Sequence, residues 1–170
     1  MPEELIIATF QNETQADNVL NRTRQLAKEG QLELIDAAVI VKTQDNKVKV
    51  DDIGDVDEKK GAIFGAITGG LVGLIAGPIG AIVGAAAGSV TGRTTAKLAD
   101  YGVSKEMINN VESDMSPGSS AIILYTRMNW VSRAISLLEE AGASVYHETV
   151  DSNLMESDFG PEAGRARPNS

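Results

Sequence analysis

The chain has 170 residues, and its 24 acidic against 15 basic side chains give a formal charge of -9. Phosphate backbones and anionic lipid headgroups attract a basic face, which this composition opposes, so nucleic acid is not an expected partner and adhesion by a basic helix is disfavoured. The absence of cysteine excludes a disulfide framework and thiolate metal ligation.

Met1-Pro2-Glu3-Glu4 lacks the basic and apolar regions of a secretory signal, and the expected location is cytoplasmic. Leu5 to Phe10 is a short apolar, partly β-branched run that reads as a buried strand. Asn12 is the expected N-cap of a helix, with Gln15 as its reciprocal partner. Ala16, Val19, Leu20, Thr23, Leu26 and Ala27 keep helical spacing until Gly30 stops it. Leu32 to Lys42 reads as a second strand, Asp45-Asn46 as a turn, and Lys47 to Val50 as a short edge strand with outward lysines. The acidic stretch Asp51 to Glu58 lacks the spacing of a calcium loop and reads as a solvated linker.

The uncharged segment from Gly61 to Gly92 has its own rhythm. Glycine falls at Gly61, Gly65, Gly69, Gly73 and Gly77, and after Pro78 at Gly80, Gly84, Gly88 and Gly92. Residues four apart share a helical face, so each half carries a ridge without side chains. A glycine inside a helix costs about 1 kcal/mol relative to alanine, which close approach by another helix can offset. The pattern predicts a glycine-zipper helical hairpin in which these nine glycines form the packing and self-association surface. Its two arms would rise about 25 and 21 Å, somewhat short of the ~30 Å bilayer core. Charges cluster at one end only, at Asp57 to Lys60 and at Arg93 and Lys97. That fits a hairpin dipping into a membrane from the cytoplasmic side, and equally one buried among copies of itself.

Beyond the hairpin, Ser104 caps an expected helix carrying Met107, Ile108 and Val111, and Pro117-Gly118 ends it. Ala121 to Tyr125 reads as a strand and Asn129 as the next N-cap. Trp130 to Ala141 follows as an amphipathic helix closed by Gly142, and Val145 to Val150 as the last strand. With the hairpin set aside, the chain reads β-α-β twice. The expected fold is therefore α+β, a ferredoxin-like split βαβ sandwich with an inserted hairpin able to protrude from it. Residues 1–57 are the first half plus an edge strand, 58–98 the hairpin, 99–150 the second half, and 151–170 a disordered tail.

LIIATF, LIDAAVIVK with its following KVKV, the glycine hairpin and PGSSAIIL together resemble the family catalogued as domain of unknown function 1269. The resemblance spans about residues 3 to 150. It implies a bacterial or archaeal protein of a kind labelled predicted membrane or general-stress-like, and it brings no catalytic residues.

No constellation of acid, base, nucleophile or metal ligands emerges from the residues themselves. His147 is the only histidine, which leaves a metal site short of partners and favours a structural or surface role. Gly88 to Arg93 lacks the ending of a P-loop, and Ser119 and Ser120 read as turn residues outside any nucleophile elbow. Trp130 reads as core. The expectation is a cofactor-free, non-enzymatic assembly protein that binds itself, at or in a membrane. The alternative is a soluble oligomeric sensor of a small ligand or a stress-response protein.

Overall fold

The computed structural model describes residues 3–52, 58–76, 81–83, 98–99 and 102–150. Strand β1 (Glu3–Phe10) leads into helix α1 (Gln15–Lys28), then β2 (Leu34–Lys42) and β3 (Lys47–Asp52). Helix α2 (Glu58–Ala76) and the short β4 (Ala81–Val83) follow, then α3 (Lys105–Asp114) and β5 (Ser119–Arg127). A 3-10 turn (Met128–Trp130) opens α4 (Val131–Glu140), and β6 (Ser144–Val150) completes the described part.

The sheet order is β4-β3-β2-β5-β1-β6. Five strands pair antiparallel, and β4 adds on outside β3 in parallel. Alternation along each strand divides its apolar residues between two faces. Ile6, Ala8 and Phe10 join Ala37, Val39, Ile122 and Leu124 in the core beneath α1 and α4. Leu5 and Ile7 join Ala38, Ile40, Ile123 and Tyr125 in the opposite core, under α2 and α3. A strand covered on both faces shows an unbroken apolar run, which is how β1 reads in the sequence.

Helix boundaries follow local chemistry. At Gly142, φ is +85°, a left-handed conformation that glycine adopts without Cβ strain. There the Gly142 and Ala143 amides return to Glu139 and Leu138 carbonyls, a Schellman closure of α4. Ser104 accepts from the Met107 amide at 3.1 Å, as expected of its cap. The start of α1 differs from expectation: Thr14 is its N-cap residue and makes no side-chain capping bond, while Asn12, two residues earlier, accepts the Gln15 amide through Oδ1 at 2.8 Å. Gln15 does not reciprocate; its Nε2 donates to the Ala141 carbonyl instead. Asn129 is not a cap. It lies inside the 3-10 turn, where the Val131 amide already bonds the Met128 carbonyl and needs no side-chain acceptor.

The central segment departs most from expectation. Its first arm is helical, as α2, but lies on the sheet against β2, β3 and α3 and does not protrude. In the second arm, expected as helix from Ile79 to Gly92, Ala81–Val83 form a strand paired with Lys47 to Lys49. Glycine on both sides weakens a helix there, β-branched Ile82 and Val83 favour a strand, and the outer side of β3 supplies open hydrogen-bonding groups. At those residues β3 is therefore not an edge. The expected tail, 151–170, lies outside the described residues.

Candidate functional site

On α2, Phe64, Ile67, Leu71 and Ile75 fall at spacings of three and four and form one apolar stripe. None of the four is more than 4% exposed, all being buried on the sheet. The glycine ridge divides around this stripe. Gly65 is exposed and Gly69 half-buried. Among the described residues, a Cβ built at either would meet nothing within 4 Å. Gly73, further along, is buried, and Gly61 occupies the first turns of the helix. Gly77, Gly80, Gly84, Gly88 and Gly92 lie outside the described residues. The ridge thus presents one open step, Gly65 to Gly69, on a helix whose bulky side is anchored.

A polar cluster gathers where β6 meets β1 and α3. The Thr9 and Tyr146 hydroxyls both donate to Asp114 Oδ2, at 2.8 and 2.7 Å. The hydrogen bond to Asp114, with burial second, pushes the Tyr146 pKa up to about 12. On the other side of the sheet, Glu4 is only 4% exposed. It accepts from Thr149 Oγ1 at 3.0 Å and lies 2.7 Å from Nδ1 of His147, where the ring donates. Neighbouring Glu3 takes the Tyr125 hydroxyl. Burial, then that bond, pushes the Tyr125 pKa up. At the start of α3, Glu148 Oε2 accepts the Ser104 amide at 2.7 Å, placing a carboxylate at the positive end of the helix.

Beside this cluster is an open cleft of about 170 Å³, lined by Ser104, Glu106, Met107, Asn110, Tyr146, His147 and Glu148. Sequence reasoning found the capping role of Ser104 but neither the cleft nor the tie at Asp114. The available signal was period: Ser104, Met107, Asn110 and Asp114 share a helical face, and Ser144, Tyr146 and Glu148 share a strand face. Which helix would lie over which strand was not readable from period alone.

His147 is half-exposed and tied to Glu4. Among the described residues no three of His, Asp and Glu converge as a metal group. Ser119 and Ser120, expected in a turn, are instead the buried first residues of β5; Ser119 Oγ donates to the Ser116 carbonyl, and Ser120 Oγ to that of Asn12. Trp130 packs half-buried against the core under α1 and α4. The glycine-rich run Gly88 to Arg93 lies outside the described residues, as does most of the acidic linker.

The family model described as a protein of unknown function, DUF1269, matches residues 62–157, more than half of the chain. The chain belongs to the DUF1269 family. The match opens within α2 and leaves β1, α1, β2 and β3 outside, so it is narrower than the span of 3 to 150 expected from the motifs. Comparison of this DUF1269 chain with curated proteins and with solved structures finds no match. Among its described residues no helix is long and apolar enough to cross a membrane.

Proposed function

We propose that the protein is a non-enzymatic assembly module: a ferredoxin-like α+β domain that binds copies of itself through the outer side of its glycine helix. The ferredoxin-like reading is supported by the four strands β2-β5-β1-β6, all antiparallel, with α1 and α4 as the crossovers on one face. The glycine-zipper reading rests on one observation. Gly65 and Gly69, one turn apart, meet nothing among the described residues where side chains would stand, while Phe64, Ile67, Leu71 and Ile75 hold the same helix to the sheet. Two glycines in a helix interior cost about 2 kcal/mol together relative to alanine, and nothing described within the chain repays it. A helix from a second copy can approach that bare backbone closely.

A bilayer is not required for this assembly. Inserting α2 into lipid would lift its four bulky residues off the sheet and uncover the apolar face beneath. The proposal is therefore for association in water, in the cytoplasm, with membranes as a binding surface at most.

Light scattering on the full chain tests it. The native protein is expected to run as more than one copy, and Gly65→Leu with Gly69→Leu to run as one copy with an unchanged circular dichroism spectrum. A native protein already monomeric, or a double variant of unchanged mass, overturns the proposal. Leucine at Gly73 would be a poor test, because that position is buried and the substitution would disturb the fold itself.

A further inference from the structure

The cleft between α3 and β6 has a consistent chemistry of its own, independent of assembly through α2. Its walls carry two carboxylates, Glu106 and Glu148, the Asn110 amide, the Tyr146 phenol and His147, and among the described residues no lysine or arginine lines it. Met107 supplies an apolar floor; it is 3% exposed. Two of the acceptors, Tyr146 and Glu148, are oriented by bonds already made. Tyr146 gives its proton to Asp114, leaving its oxygen lone pairs free to accept. Glu148 is pinned through Oε2 by the Ser104 amide, and Oε1 has no hydrogen bond among the described residues. The Asn110 and Glu106 side chains make none there either. The cleft therefore offers acceptors with a negative balance beside one apolar patch.

We propose that this cleft binds a small primary ammonium compound. The cation would sit between Glu148 and Tyr146, and a short alkyl body would lie on Met107. A bare metal ion fits less well, because the histidine and carboxylates of the cleft do not converge as a metal group; metals require ligands at about 2.0–2.6 Å. An anion would meet both glutamates. The cleft is open and small, about 170 Å³, which suits a short ligand with one cationic end.

The test is an amide NMR titration of the full chain with n-butylammonium, using n-butyrate and n-butanol as controls of similar shape. The expected result is saturable shifts confined to the amides of Ser104 to Asn110 and Ser144 to Glu148, with butyrate and butanol leaving them unmoved. Glu148→Gln keeps an acceptor for the Ser104 amide while removing the charge, and is expected to weaken binding at least fivefold. Its own amide spectrum reports whether the fold is retained. Butyrate binding as well as butylammonium would overturn the proposal. So would linear shifts scattered over the surface, since a chain of charge -9 attracts any cation weakly, and so would a correctly folded Glu148→Gln of unaltered affinity.

Discussion

Tyr146 shows what one side chain does at the rim of the sheet. Its hydroxyl joins β6 to Asp114, the last residue of α3, and the same carboxylate oxygen takes Thr9 of β1. Three elements therefore meet on one oxygen. Removing one partner leaves Asp114 with a single donor, so Tyr146→Phe is expected to cost about 1–2 kcal/mol at neutral pH in urea unfolding. The alkaline limb gives a sharper signature. Folding raises this phenol from 10.0 to about 12, through the bond to Asp114 and then burial, so between those values the folded chain keeps a proton that the unfolded chain has lost. Stability from this group is whole below pH 10 and disappears as pH rises through about 12. The gap between the native protein and Tyr146→Phe should then close over that range, in melting curves taken at each pH. A gap that stays constant to pH 12 would show that the ring, and not its hydroxyl, holds β6.

At the scale of elements, α2 holds the most informative conflict. Its mid-helix Thr68 is 5% exposed, and its hydroxyl has no partner among the described residues. A buried unpaired hydroxyl costs about 1–3 kcal/mol, so Thr68→Val should raise the melting temperature while leaving the spectrum unchanged. A fall would mean that the hydroxyl finds an acceptor in the assembled state. Much of the element-level structure was legible in the sequence. Continuous apolar runs marked β1, β2 and β5, Gly30 and Gly142 marked helix ends, and Ser104 marked a start, because each of these signals is local. Asn129 misled because a 3-10 turn ahead of α4 satisfies the same donors a cap would. The destination of α2 was not legible for a different reason. Its stripe, Phe64, Ile67, Leu71 and Ile75, is the same whether it faces lipid, a sister helix or a sheet, since all three are apolar. Nothing short of the sheet's own second face could decide among them. The α3–β6 cleft was hidden for a similar reason: its residues come from two periods that meet only once the chain is folded.

For the whole molecule, the decisive fact is that the sheet has two apolar faces. Helices α1 and α4 cover one, and the other is covered by α2, which carries the first four glycines of the repeat, together with α3. An inserted hairpin that merely protruded could be cut out at little cost, as insertions between nearby chain ends often can. Here its removal would expose Ile40, Val48 and Tyr125, each buried and part of the cluster that contains α2. Burying one large apolar side chain contributes about 1.5–3 kcal/mol, and a domain's net stability is only about 5–15 kcal/mol. Three such side chains therefore rival the whole margin. Replacing residues 58–97 by a short Gly-Ser linker is expected to abolish the cooperative thermal transition and to produce strong binding of a hydrophobic dye. The milder Leu71→Ala, which keeps the chain intact, should cost about 2–5 kcal/mol in urea unfolding. A linker variant that melted cooperatively and bound no dye would return α2 to the role of a free arm, and with it would reopen insertion of that arm into a bilayer.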